Sequence, residues 1–203
     1  MNKVLEMRRI IRENENQTES VMQSMKKRLP WLMLLLILGM LVSSVVGAFE
    51  NVVAALPVVI CFQSLVLDMA GNVGTQSLAV TIRVLMEENI TARKKVLLLG
   101  QEVKVGFLNG SFLGGLAFGF LGIYIHLTKE YEWRSAFLIS GCVGISLLIA
   151  MVVSSLVGTV IPMMFHKIKI DPAAASGPLI TTVNDLVAVV TYYGLAYIWL
   201  IKR

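Results

Sequence analysis

The sequence predicts an all-α membrane protein with five spans, and three observations carry that reading. First, 56% of the 203 residues are hydrophobic and the mean hydropathy is +0.75. Second, the charged fraction is 15%, well below the roughly 25% usual in soluble domains. Third, five apolar segments are long enough to cross a hydrocarbon core, which takes about 20 residues of helix. They run from about Pro30 to Ala54, Leu56 to Met86, Val96 to Leu127, Trp133 to Phe165 and Ala173 to Ile201. The net charge of +5 does not mark a nucleic-acid binder, because the basic residues stand at segment ends rather than on one face.

Residues 1–29 read as a cytoplasmic or interfacial helical leader in which Val4, Leu5, Met7, Ile10, Ile11, Val21, Met22 and Met25 alternate with charge, interrupted by the polar run Glu13 to Ser20. No signal-peptide cleavage pattern precedes the first span, so that span is expected to anchor the chain. Residues 30–203 are expected to form one transmembrane domain. Its orientation follows from the short loops. Lys26, Lys27 and Arg28 precede the first span, Arg93, Lys94 and Lys95 follow the second, and Lys167 and Lys169 follow the fourth. These place the N-terminus in the cytoplasm and the C-terminus outside, as in a multi-pass protein of the cell membrane. Trp31, Tyr131, Trp133, Tyr197 and Trp199 fall near segment ends, where interfacial aromatics belong.

Each span has its own signature. Small residues repeat every four positions in the first (Gly39, Ser43, Gly47), the third (Gly106, Gly110, Gly114) and the fourth (Ala150, Ser154, Gly158), which reads as close helix packing. Glu102 and Lys104 of the third span lie near its cytoplasmic end and can snorkel. Cys61 and Cys142 have no metal-ligand spacing and read as small core residues. His126 and His166 lie at opposite membrane faces and cannot share a site within one subunit.

The second and fifth spans carry polar residues at membrane depth. Asp68 lies about twelve residues into the second span, roughly 18 Å at 1.5 Å per residue. Asp68, Asn72 and Gln76 are spaced four apart, and Gly71 and Gly74 are expected to loosen the helix and free carbonyls, which lipid tolerates only beside protein or a wet cavity. In the fifth span Gly177, Thr181 and Asp185 form a second stripe, with Pro178 removing a backbone donor. A carboxylate inside a span costs roughly 2.5–3.5 kcal/mol, so Asp185 demands a polar path or a packing network that satisfies it. Carboxylate, carbonyl, amide and hydroxyl oxygens without thiolate or imidazole favour Mg²⁺, Ca²⁺ or Mn²⁺. The residues alone leave the choice open among these and Co²⁺ or Ni²⁺. A proton- or sodium-coupled carrier using Asp68 and Asp185, and a non-transporting membrane subunit, are the alternatives. An intramembrane aspartyl protease is disfavoured because neither aspartate sits in Gly-x-Gly-Asp, and no enzyme is expected.

Gly71-Asn72-Val73-Gly74-Thr75-Gln76-Ser77, Asp171-Pro172-Ala173, Ser176-Gly177-Pro178-Leu179-Ile180-Thr181-Thr182 and Asn184-Asp185, with Arg28-Leu29-Pro30-Trp31-Leu32, closely resemble the membrane domain of the MgtE family of magnesium channels over about Lys26 to Arg203. The resemblance implies a five-helix subunit, a symmetric homodimer and a pore on the two-fold axis built from the second and fifth helices. It implies that Asp185 holds a hydrated Mg²⁺, that backbone carbonyls at Gly177 and Thr181 face that ion, and that Gly71 and Asn72 belong to the second-helix motif. Two departures are visible. Ala70 replaces the first glycine of the family's Gly-Gly-Asn, and residues 1–29 do not encode the N and CBS domains that gate typical members. Gating is therefore expected to fall to a separate partner or to none.

Overall fold

The computed structural model describes residues 20–87 and 90–202. Its elements are all helical: α1 (Val21–Ala48), the short α2 (Glu50–Ala55), α3 (Val58–Leu85), α4 (Ala92–Lys129), α5 (Trp133–Lys167), and α6 (Pro172–Ala196), which continues into a π turn at Tyr197–Ile201. Five of these helices are long and apolar enough to span a membrane. The chain divides into two compact units, one ending at Leu38 and one from Gly39 onward.

In the first unit the described chain is helical from Val21, nine residues before the expected start at Pro30. A capping box sets this boundary. The Ser20 Oγ accepts from the Gln23 backbone N–H at 3.3 Å, and the Gln23 Oε1 accepts from the Ser20 N–H at 3.3 Å, satisfying two donors that a helix start leaves orphaned. Pro30 lies inside the helix, where it removes one i→i−4 bond. The expected leader segment before Ser20 lies outside the described residues.

In the second unit α5 is the axis. It packs most extensively on α4, and on its other sides against α3 and α6, while α3 and α4 barely meet. The core gathers Val59, Phe62, Val66 and Ala70 of α3, Ala136, Ile139, Cys142, Val143 and Leu147 of α5, and Ala188, Val189, Tyr192, Tyr193 and Ala196 of α6. Cys61, expected in the core, lies on the exposed face of α3, whereas Cys142 is buried. Local signals explain the boundaries. Pro57 precedes α3 with its φ already helical. The Thr91 Oγ1 accepts from the Lys94 N–H at 3.3 Å to cap α4, and Glu130 ends α4 in the left-handed conformation, φ 57°. Pro172 opens α6, so Pro178 falls in its interior.

The α4–α5 seam is built from glycine. A Cβ placed on Gly114 would lie 2.5 Å from the Gly144 carbonyl oxygen, and one on Gly144 would lie 2.6 Å from that of Gly114. At Gly110 it would lie 2.9 Å from the Leu148 Cα, and at Gly106 it would overlap Ser155. These approaches let backbone pack on backbone, which is how helices associate where lipid removes the hydrophobic drive. The Gly39 and Gly47 positions of α1 meet nothing within 4 Å.

The second span is not loosened. α3 is α-helical without interruption from Val58 to Leu85; Gly74 serves packing instead, and Gly71 meets nothing within 4 Å. A Cβ on Gly74 would overlap the Asn184 amide and lie 2.8 Å from the Ser154 Oγ, while one on Gly158 would overlap the Gly74 carbonyl. Glycine here answers a neighbour's closeness, and the helix keeps its own hydrogen bonds.

Candidate functional site

Between α3 and α6 lies an open groove of about 350 Å³, lined by Leu67, Asp68, Gly71, Asn72, Thr75, Thr181 and Asp185. Five of the six expected residues, Asp68, Gly71, Asn72, Thr181 and Asp185, are thus brought together. Gly177 is not in the lining; its carbonyl accepts the Thr181 hydroxyl at 3.2 Å, and a Cβ there would lie 3.9 Å from Leu78. Gln76 is also absent, and Thr75 takes its place. One geometric fact explains both differences. A helix advances 3.6 residues per turn, so each i,i+4 step drifts by about 40° and two steps by about 80°. Residues i, i+3, i+4 and i+7 stay on one face, as Asp68, Gly71, Asn72 and Thr75 do.

The groove offers oxygen acceptors. Asn72 Nδ2 donates to Asp68 Oδ2 at 3.1 Å, turning the amide's donor onto the carboxylate. The Thr75 hydroxyl donates to backbone carbonyls of its own helix, Gly71 at 3.1 Å and Asn72 at 2.9 Å, and that of Thr181 donates to Gly177. With their protons spent on backbone, these hydroxyls present lone pairs. Two carboxylates share the groove, and no basic residue lines it. The Asp185 carboxyl makes no hydrogen bond or ion pair among the described residues, so no packing network among them satisfies it. The Glu87–Lys94 ion pair belongs to the α3–α4 turn instead.

A surface of acceptors with uncompensated negative charge complements a cation, or the donating waters of a hydrated one. Among the described residues no three of His, Cys, Asp and Glu converge as a metal cluster. One subunit therefore supplies two carboxylates rather than a closed cage.

Behind the groove a polar knot joins three helices. The Ala70 carbonyl of α3 accepts from the Ser154 hydroxyl of α5 and from Asn184 Nδ2 of α6, the latter at 3.4 Å. Asn184 and Ser154 are each 1% exposed. Asn184 Oδ1 is buried and accepts nothing among the described residues. An interhelical hydrogen bond in a membrane contributes about 0.6 kcal/mol on average, whereas an unsatisfied buried acceptor costs about 1–3 kcal/mol. Nearer the Val58 end the same two helices are joined by the Tyr192 hydroxyl donating to the Val59 carbonyl at 2.8 Å and that of Tyr193 donating to Gln63 Oε1 at 2.5 Å. Phe49 stacks on the Tyr193 ring with centroids 5.6 Å apart.

His126 and His166 stay apart, as expected from their segment ends. The His126 ring pairs with the Tyr131 carbonyl at 2.8 Å and stacks on Trp133.

Comparison with known proteins adds what geometry does not supply. Residues 63–195 match the sequence profile of MgtE, described as a divalent cation transporter, a stretch that contains the whole groove. The chain is 37% identical over 170 residues to a magnesium transporter MgtE of Bacillus subtilis, covering 84% of this chain and 36% of the relative. It is 35% identical over 182 residues to one of Enterococcus faecalis, covering 90% and 38%. A relative from Thermus thermophilus is 31% identical over 169 residues, covering 83% and 35%. The aligned region thus spans little more than a third of the length of these curated relatives.

Proposed function

The chain belongs to the MgtE family of divalent cation transporters, and on that premise we propose that it conducts Mg²⁺ across the cell membrane through the α3–α6 groove. The observation that carries this reading is the groove itself, with two carboxylates and two hydroxyl oxygens arranged as acceptors and no cation of the protein's own. Mg²⁺ dehydrates reluctantly and keeps several waters, so an open groove of acceptors suits the hydrated ion better than a tight cage. The relatives are named for magnesium, which favours it over Mn²⁺, Co²⁺, Ni²⁺ and Ca²⁺.

A groove open on one side is completed by a second copy. In a symmetric homodimer two Asp185 side chains face each other across the axis, and Asp68, Gly71, Asn72, Thr75 and Thr181 of each subunit extend the wall. A divalent ion about 4 Å from one carboxylate gains roughly 8 kcal/mol at an effective dielectric of 20 before desolvation is subtracted. The empty pair would repel, so the ion is what makes the arrangement favourable. Flux is then passive, driven by gradient and potential, with the N-terminus cytoplasmic and the C-terminus outside as the basic loops indicate.

Proteoliposomes of the purified chain provide the test. Wild type carries saturable Mg²⁺ flux that follows membrane potential, and Asp185→Asn abolishes it; unchanged uptake by Asp185→Asn removes this residue as the site. The co-location of Asp68 with Asp185 favours one second reading, a proton- or sodium-coupled carrier. At fixed Mg²⁺ gradient and potential such a carrier responds to an imposed proton or Na⁺ gradient across the membrane, and a channel does not.

A further inference from the structure

The Ala70 carbonyl is held from two other helices, and both side chains that reach it lie next to the groove without entering it. Asn184 immediately precedes Asp185 on α6. Adjacent residues on a helix are fixed about 100° apart, so whatever sets the direction of Asn184 sets that of Asp185. Ala70 stands two residues from Asp68 and one from Gly71, on the buried side of α3. A bond from Asn184 Nδ2 to the Ala70 carbonyl therefore ties the rotation of α6 to that of α3 at the level of the two carboxylates. The Ser154 hydroxyl holds the same carbonyl from α5. Gly74, one turn along α3, leaves the space that the Asn184 amide fills.

Resting on the reading of the groove as the ion path, we propose that Asn184, assisted by Ser154, is a positioning residue for conduction. It clamps α6 to α3 and so fixes the separation of Asp185 and Asp68, touching the ion at no point. Stability does not account for an amide at this place. Its Oδ1 is buried and unpartnered among the described residues, and an apolar side chain of similar volume avoids that penalty. What leucine cannot supply is the directional bond.

Asn184→Leu in the full chain, purified and reconstituted, separates position from glue. The clamp predicts a half-saturating Mg²⁺ concentration raised about tenfold and a lowered Mg²⁺-to-Ca²⁺ flux ratio, with a melting temperature equal to or above wild type. Ser154→Ala alone shifts half-saturation about threefold and adds little on top of Asn184→Leu, because both donors serve one acceptor. A lower melting temperature and lower maximal flux with unchanged half-saturation and selectivity would make Asn184 simple packing and overturn the proposal. If Asn184→Leu does not fold, Asn184→Ala carries the same comparison.

A second readout needs no transport. Nitroxide labels at V80C on α3 and V190C on α6, in a C61S/C142A background diluted with unlabelled subunits, report the distance between the two helices. A displaced or broadened distance in Asn184→Leu supports the clamp, and an unchanged one overturns it. Absence of Mg²⁺ flux in wild type would instead strike the reading of the groove, leaving the distance measurement to judge the clamp.

Discussion

Two seams of this bundle are made from the same small residues and do different work. Along α4–α5, Gly110 and Gly114 press against the backbone of Leu148 and Gly144 and Gly106 against the Ser155 side chain, whose buried hydroxyl has no hydrogen-bond partner among the described residues. Along α3–α6, with α5 behind, Gly74 and Gly158 allow an equally close approach, but amide and hydroxyl groups interleave with them and reach across to a carbonyl. The first seam holds helices together. The second holds them at a set rotation and leaves two carboxylates facing a groove. Small residues therefore say only that helices touch; the polar atoms threaded among them say what the contact is for.

Substitutions can break or sharpen this contrast. The largest effect is expected at the pure packing seam. Gly114→Leu forces a side chain into the Gly144 backbone and costs about 3 kcal/mol, read as loss of folded protein and a lower melting temperature in detergent. At the other seam Gly74→Ala costs about 2 kcal/mol. Because its Cβ displaces the Asn184 amide, the surviving protein also loses Mg²⁺ affinity, which flux titration detects. If Gly74→Ala lowers stability alone, the two seams are equivalent and the contrast fails.

The third effect is purely functional. Asp68→Asn keeps the shape of the groove and removes one of its charges. Mg²⁺ flux falls about tenfold, or ~1.4 kcal/mol, at an unchanged melting temperature. The smallest effect is a control on the first seam. Gly115 neighbours Gly114 but has open space around its Cβ position, so Gly115→Ala stays within about 0.5 kcal/mol of wild type in thermal unfolding.

The sequence made the spans readable because apolar length is a one-dimensional quantity. Asp68 and Asp185 stood out because charge inside such a run is rare. Azimuth was harder. Counting in fours placed Gln76 and Gly177 on the functional faces, and the 3.6-residue turn carries both away and brings Thr75 in. The glycines of α3 read as breaks in the helix, yet a glycine in a span serves a close contact just as well. Only the position of Asn184 and Ser154 against Gly74 decides for contact, and that is a property of three helices together. Leader and first span read as separate segments because Pro30 resembles a helix opening, whereas the capping pair Ser20 and Gln23 opens one continuous helix that runs through it.

The glycine run of α4 also has consequences for assembly. Sliding α4 by one turn, about 5.4 Å, in one direction brings Phe118 into the place of Gly114 against the Gly144 backbone. In the other direction it brings Glu102 into the place of Gly106 against Ser155. The first puts a ring where not even a methyl fits; the second drives a carboxylate into a dry contact. Neighbouring registers are thus closed at both ends of a three-glycine track, so the depth of α4 against α5 is set by side-chain volume at one end and by charge at the other.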